Sequence, residues 1–445
     1  MNGSLRSRFI DCLDLEKVRE KITVRPEPVG NLADMDSLIA AEVFSSALKN
    51  IFIPNEFCLS FIKEMSTQAW LHSQSLFSSE QGYVSRIYSP PDVEVSPVCL
   101  TGLAGVGKSQ TIAALRKVLP PPMEFSCDHF NSNIELISYW YASARGKAGG
   151  RQMLSDFLSN QKITSRNSAQ LLVDCRRRVN RDGVSMLILE ETQHISTGNG
   201  ASKVTDILLT MAGIGPPMVY VSNYSLVHKL RARNNEDKQR LLSNPRIMLP
   251  DDPVGSDWKK YIQECIRVSN GHLQGDLSVL ARDIYTATFG IKRLVVLLLK
   301  QALIEARASG RSSITSNDLE AAYLSPAYAT NKEDVEELNK LELQRQGSRR
   351  RLDLVCPFKV PVNFKGNVVE FARSARDSRV NKTAFDSSLN AAERSALKEL
   401  EPVSPKGAAS SPPKSPRIPK ASEEDLAGAF HQYVESLGSP PKKPK

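Results

Sequence analysis

The stretch that decides the fold is GLAGVGKS, residues 102–109. It follows an apolar run, VSPVCLT (95–101), and precedes a helix-like run, SQTIAALRKVL (109–119), which stops at Pro120-Pro121-Pro122. Gly102-x4-Gly107-Lys108-Ser109 fits the GxxxxGK[ST] pattern, and a strand before with a helix after is the context that pattern requires. Glycines at 102, 105 and 107 let backbone N–H groups turn inward around an anion. A helix that starts there points the positive end of its dipole at the same anion. Lys108 is the candidate for the β- and γ-phosphates of a nucleotide, and the Ser109 hydroxyl for a Mg²⁺ ion. Gly105, Val106 and Gln110 complete the candidate cradle.

Outward from this loop, apolar runs alternate with helical periods. MEFSCDHF (123–130) reads as a second strand, SMLILEE (185–191) as a buried one, PPMVYVSN (216–223) as another and PRIMLP (245–250) as a fifth. NSAQLLVDCRRRVNRDG (167–183) reads as a helix closed by Gly183. Continuous apolar strands separated by helices point to an α/β fold, a parallel sheet with helices on both faces. After Pro253 every segment reads as helix, and the last begins at SITSNDLE, a capping region. The reading therefore divides the chain into an extension over 1–60, an α/β ATPase core over 61–253, a small all-helical lid over 254–328 and a largely disordered C-terminal extension over 329–445. Within the first part, 26–37 reads as a loop and 57–77 as a pair of helices.

The strand LILEE ends in two acids. Glu190 stands where a nucleotidase of this kind holds the Mg²⁺ shell, and Glu191 where it polarises the attacking water. Asn223 or Ser222, at the end of VYVSN, is the candidate γ-phosphate sensor. Arg231, Arg233 and Arg240 precede the fifth strand, and Arg240 is the favoured candidate for a finger reaching a neighbouring subunit. Lys292 and Arg293, in FGIKRL, open a lid helix from which they could reach the nucleotide.

Strand, phosphate loop, acid-ended strand, polar strand end, arginine segment and helical lid stand in AAA+ order. More narrowly, the chain resembles the TnsC/TniB-type AAA+ regulators of DNA transposition. LILEETQHIS resembles that family's apolar–DE–x–QH segment, AGIGPPMVYVSN its Gly-hydrophobic-Pro strand, and TFGIKRLVVLLLKQALIEARASGRSSITSNDLEAAY its lid, over roughly residues 60–325. Two positions depart: Glu190 replaces the usual Asp, and Asn223-Tyr224 replaces Thr-Pro. The resemblance implies a switch. Such proteins bind ATP with Mg²⁺, assemble as a homo-oligomeric ring or filament on double-stranded DNA, and recruit transposase subunits. A TniQ/TnsD-type selector sits at the other end, and hydrolysis dismantles the assembly.

Composition agrees with a polyanion partner. The 445 residues carry 58 Lys and Arg against 49 Asp and Glu, a formal charge of +9. Arg145, Lys147 and Arg151, in the Gly-rich basic loop SARGKAGGRQ, are the first candidates for DNA phosphates, and Arg176, Arg177 and Arg178 the second. Aromatic residues do not interleave with these groups, which favours duplex over single-strand binding. The seven cysteines form no CxxC pair, which argues against a zinc site and for reduced thiols. MNGSLRSRFIDCLDL has no apolar signal region and no segment reads as a membrane span, so a cytoplasmic protein, bacterial by the resemblance, is expected. Residues 401–420 are rich in Pro, Ser and Ala and read as a tether. In 422–438, Leu426, Phe430, Val434 and Leu437 share one helical face, a candidate docking helix for the transposase. Two other readings share the core: a loader or initiator of replication proteins, and a protein-remodelling or signalling NTPase that does not use DNA.

Overall fold

The computed structural model describes residues 5, 7–93, 95–131, 133–147, 149–158, 167–196, 200–344, 351–390 and 392–393. The candidate docking helix at 422–438 and the tether at 401–420 lie outside them. The chain divides into two compact units, Met1–Phe385 and Asp386–Lys445. In the second, Asn390 and Glu393 exchange side-chain-to-backbone hydrogen bonds of 2.8 and 2.9 Å.

In the first unit, α1 (Ile10–Leu13), α2 (Leu15–Ile22), α3 (Ser37–Lys49), α4 (Glu56–Leu76) and α5 (Glu80–Tyr88) precede the sheet. The segment 57–77, read as a pair of helices, falls in one 21-residue helix, α4. No Pro or Gly interrupts it, and Asn55 caps its start by accepting from Cys58 N at 2.9 Å. There follow β1 (Val98–Gly102), α6 (Lys108–Val118), β2 (Met123–Phe125), β3 (Ile134–Leu136), β4 (Tyr139–Ser143), α7 (Gly150–Phe157), α8 (Ser168–Arg181), β5 (Met186–Glu190) and α9 (Ala201–Ala212). Then come β6 (Met218–Asn223), α10 (Tyr224–Arg231), α11 (Asn235–Leu242) and β7 (Asn244–Met248).

The main sheet has five strands in the order β4-β5-β6-β1-β7, and every pair in it is parallel. The phosphate-loop strand β1 is thus separated from the acid-ended strand β5 by β6. The two faces of the sheet are legible in alternate residues. Val98, Leu100, Met186, Ile188, Val219 and Val221 join one core cluster. Cys99, Leu187, Leu189, Met218 and Tyr220 join the other. Helix α6 covers the first face with Ile112 and Leu115.

One strand is displaced from its sequence reading. Of 123–130, only Met123–Phe125 is a strand, and it pairs antiparallel with β3 in a separate two-stranded ribbon. The edge of the main sheet is β4, with sequence YWYAS and alternating burial. Trp140 and Ala142 enter one core while Tyr139 and Tyr141 pack against the other. Such half-buried alternation in an edge strand lacks the continuous apolar run that revealed β1, β5 and β6.

The lid consists of α12 (Ser256–Val268), α13 (Leu277–Thr288), α14 (Lys292–Ala308) and α15 (Ser316–Leu324). Trp258 is wholly buried there and donates from Nε1 to Ala281 O at 3.0 Å. Thr315 and Asp318 form a capping box at the start of α15, where the sequence signals one. Helix α3 lies along α14. Its Phe44 and Leu48 join one core cluster with Leu298 and Leu299 of the lid. Two long helices follow, α16 (Ala329–Gln344) and α17 (Val362–Ser388). Among the described residues no helix is long and apolar enough to cross a membrane.

Candidate nucleotide-binding site

Gly102 ends β1 opposite Asn223 of β6 on one side and Met248 of β7 on the other. A Cβ at Gly102 would run into the Met248 carbonyl oxygen. Gly105 and Gly107 have φ of +87° and +113°, left-handed values that L side chains adopt at a cost. Gly107 caps α6, so Lys108 and Ser109 are its first residues. Lys108 is only 8% exposed and donates from Nζ to Gly102 O at 2.8 Å and to Leu103 O at 2.7 Å. Burial, reinforced by the Arg293 guanidinium, lowers its pKa from 10.5 to about 7. An ammonium held in this way, at a helix start, is poised for an anion that would restore its charge.

Around the loop lies a half-open cavity of about 420 Å³, within the usual range for small-molecule sites. The phosphate loop lines it with Ala104, Gly105, Gly107, Lys108, Ser109 and Gln110. The strand ends add Glu191, Gln193, Val221 and Asn223. The lid contributes Tyr261, Lys292, Arg293, Val296 and Leu297, and the N-terminal segment Leu48, Lys49 and Ile51. The structure thus gathers Gly105, Gly107, Lys108, Ser109, Gln110, Glu191, Asn223, Lys292 and Arg293 around one volume. Val106 is buried behind the loop in the core.

Glu191 sits at φ +53°, a strained conformation for a non-glycine residue, immediately after β5. Its Oε2 accepts from Ser143 Oγ at 3.4 Å. Thr192 fixes the turn that follows, donating from Oγ1 to Val221 O at 2.7 Å. Glu190, 8% exposed, does not line the cavity. Its Oε2 accepts from the Tyr141 hydroxyl at 2.7 Å, while Oε1 is buried with no hydrogen-bond partner among the described residues. Burial first, then the bond to Glu190, pushes Tyr141 up to about 12, so its hydroxyl remains a donor. With Ser109 exposed beside the loop, the chain offers a hydroxyl and an orphaned carboxylate oxygen, the hard donors that Mg²⁺ takes.

The two lid cations differ. Lys292 pairs with the buried Asp251 at 3.4 Å, and Asp251 also accepts from Asn55 Nδ2 at 2.9 Å. It therefore joins the lid to the N-terminal segment as well as lining the cavity. Arg293 donates from its backbone N to Gly105 O at 3.2 Å and packs against that glycine, where an added Cβ would stand 2.8 Å from Arg293 Cβ. Its exposed side chain faces the cavity.

The remaining candidates lie apart from the cavity. Arg240 is on α11, paired with Glu236 one turn away at 3.2 Å. Arg233 pairs with Asp237, and Arg231 lies 5.8 Å from the Phe358 ring centroid. The basic loop follows β4. Arg145 and Arg151 are exposed, and Lys147 pairs with Asp156. Arg176 bonds Gly213 O and Asp92, Arg178 pairs with Asp182, and Arg177 is exposed. Sequence reasoning missed Leu48, Lys49 and Ile51, and it missed Tyr141. Ala40, Ala41, Phe44 and Leu48 recur at helical spacing along 37–49, the signal by which the first group could have been found.

No protein-family model matches the chain, and no curated protein matches it. Solved structures do. Drosophila ORC bound to DNA aligns at TM-score 0.41 and 13% identity, over 84% of this chain and 85% of that one. The Aeropyrum pernix ORC2 protein, in ADPNP–ADP complexes, aligns at 0.37 and 13%, over 61% and 73%. The Thermotoga maritima RuvB Holliday junction branch migration motor aligns at 0.32 and 11%, over 64% and 77%. The class rests on the chain's own architecture: a parallel five-stranded sheet, a phosphate loop after β1, a strand between loop strand and acid strand, and a helical lid. That is the AAA+ P-loop NTPase fold.

Proposed function

We propose that this chain is an ATP-dependent AAA+ switch that assembles on duplex DNA and recruits or activates a transposase, with hydrolysis driving disassembly. The observation that carries the nucleotide part is the cavity that joins Lys108, Ser109, Glu191, Asn223 and Arg293. In this reading Lys108 and the loop N–H groups hold the β- and γ-phosphates. Leu48, Ile51, Val296 and Leu297 offer an apolar seat for the base. Glu191 orients the attacking water, Asn223 senses the γ-phosphate, and Arg293 joins the lid to the triphosphate. Bound Mg²⁺ would neutralise phosphate charge, with Ser109 and Glu190 as its holders from the protein. Arg240 is proposed as the finger toward a second copy.

The DNA part rests on net charge and on the basic loop. That loop leaves β4 at a telling point. Ala144 N donates to Glu190 O at 2.9 Å, and Arg145 N donates to Ser143 Oγ at 3.3 Å, the same hydroxyl that touches Glu191. Phosphate contacts at Arg145, Lys147 or Arg151 would therefore act next to the catalytic acids. The transposase and the TniQ/TnsD-type selector come from the sequence resemblance, as does a bacterial cytoplasmic setting.

Electron microscopy of the full chain on duplex DNA tests the reading. Rings or filaments should form with ATP or a non-hydrolysable analogue and not with ADP, and Lys108→Ala should abolish them. Particles that bind nucleotide yet ignore DNA would favour protein remodelling instead.

A further inference from the structure

Glu190 is one methylene longer than the Asp that usually ends this strand, and the structure supplies a neighbour for the extra length. Tyr141 is two residues before Ser143 on β4, and the register sets Tyr141 opposite Ile188 and Ser143 opposite Glu190. Diagonal neighbours on one face of a sheet are within reach of a long aromatic side chain. The Tyr141 hydroxyl uses that reach and donates to Glu190 Oε2 at 2.7 Å. The ring is held in turn from α6, the helix that the phosphate loop opens. Arg116 lies with its guanidinium carbon 4.0 Å from the Tyr141 ring centroid. Its Nε is buried without a hydrogen-bond partner among the described residues, and the guanidinium rests on the ring face. One carboxylate oxygen is thus fixed, and the other, Oε1, is left buried and unpartnered among the described residues. A buried carboxylate oxygen without a partner is costly unless a ligand satisfies it.

We propose that Tyr141, clamped by Arg116, is a positioning residue that holds the long Glu190 side chain so that Oε1 faces the divalent cation of the bound nucleotide or that cation's water. The inference rests on the nucleotide reading of the cavity and goes beyond it. Tyr139 provides an internal control. It lies on the same face two residues earlier, also near Arg116 at 5.5 Å, and among the described residues it makes no hydrogen bond to either acid.

The test is the Mg²⁺ dependence of binding of a fluorescent non-hydrolysable ATP analogue to the full chain. In Tyr141→Phe the free Mg²⁺ needed for half-maximal binding should rise about tenfold, while affinity in EDTA stays within twofold. Tyr139→Phe should leave both unchanged. Glu190→Asp breaks the same contact from the other side and should give a shift of the same order, even if Tyr141→Phe does not fold. The double variant should be no worse than Glu190→Asp alone, because the shorter side chain has already lost the tyrosine bond. An unchanged Mg²⁺ midpoint in Tyr141→Phe, an equal shift in Tyr139→Phe, or additive shifts in the double variant would overturn the assignment while leaving the cavity a nucleotide site. A wild-type chain that binds no nucleotide at any Mg²⁺ concentration would overturn the nucleotide reading, and this inference with it.

Discussion

Two sets of cations on this molecule look alike in sequence and differ in structure. In the phosphate loop, Lys108 is buried, turned inward, and bonded to two backbone carbonyls. On the outer helices and the basic loop, Arg240, Arg233 and Lys147 each rest against a nearby carboxylate: Glu236, Asp237 and Asp156. A surface pair of that kind contributes roughly 0–1 kcal/mol and is screened by salt. A buried ammonium without an acid is costly in isolation and gains from a polyanion. Environment, more than charge, separates a site from a solvated face.

The sharpest way to break that contrast is to remove Lys108. Lys108→Ala should weaken triphosphate binding by about 100-fold or more, since charge-assisted bonds to phosphate contribute roughly 1.5–3 kcal/mol each. Equilibrium titration reads the loss, and near-normal affinity would place the anion elsewhere. Gly105→Ala comes next. With φ at +87° and Arg293 against the glycine, the substitution should cost about 1–3 kcal/mol and loosen the lid. Thermal melting checks the stability, and a several-fold weaker nucleotide affinity would accompany it.

The pH dependence sharpens the same point. The Lys108 pKa lies near 7 in the folded chain and would rise beside a polyphosphate. Binding above pH 7 therefore takes up a proton, and affinity should fall by up to about tenfold per pH unit as pH rises past 7. Without nucleotide the sign reverses. The folded chain binds fewer protons at Lys108 than the unfolded one between about pH 7 and the usual 10.5, so this group makes stability rise with pH over that window. Affinity that is flat from pH 6 to 9 would mean that Lys108 keeps its charge throughout. The smallest effects belong to the outer cations. Arg240→Ala and Lys147→Ala should change stability by no more than about 0.5 kcal/mol and leave nucleotide affinity of the isolated chain within twofold. A tenfold loss in either would bring that residue into the cavity's economy and erase the contrast.

Much of the core was legible because each feature has a local cause. The apolar runs at 98–102, 186–190 and 218–223 are central strands buried on both faces, and such strands carry their signature in consecutive residues. GLAGVGKS needs its glycines for the turn and its lysine for charge, so spacing alone marks it. What was not legible depends on contacts between distant segments. Strand β4 is an edge whose alternating YWYAS pattern is shared by many surface ribbons. Leu48 and Ile51 reach the cavity only because α3 lies along the lid helix α14. The Tyr141–Glu190 bond depends on a strand register that no single segment encodes.

The most direct test of the cavity is hydrogen–deuterium exchange of the full chain with and without a non-hydrolysable ATP analogue and Mg²⁺. Protection should appear together in three segments far apart in sequence: 48–51, 103–111 and 291–297. Bound analogue with no protection at 103–111, or protection there with none at 48–51 and 291–297, would contradict a site built jointly by the N-terminal segment, the phosphate loop and the lid.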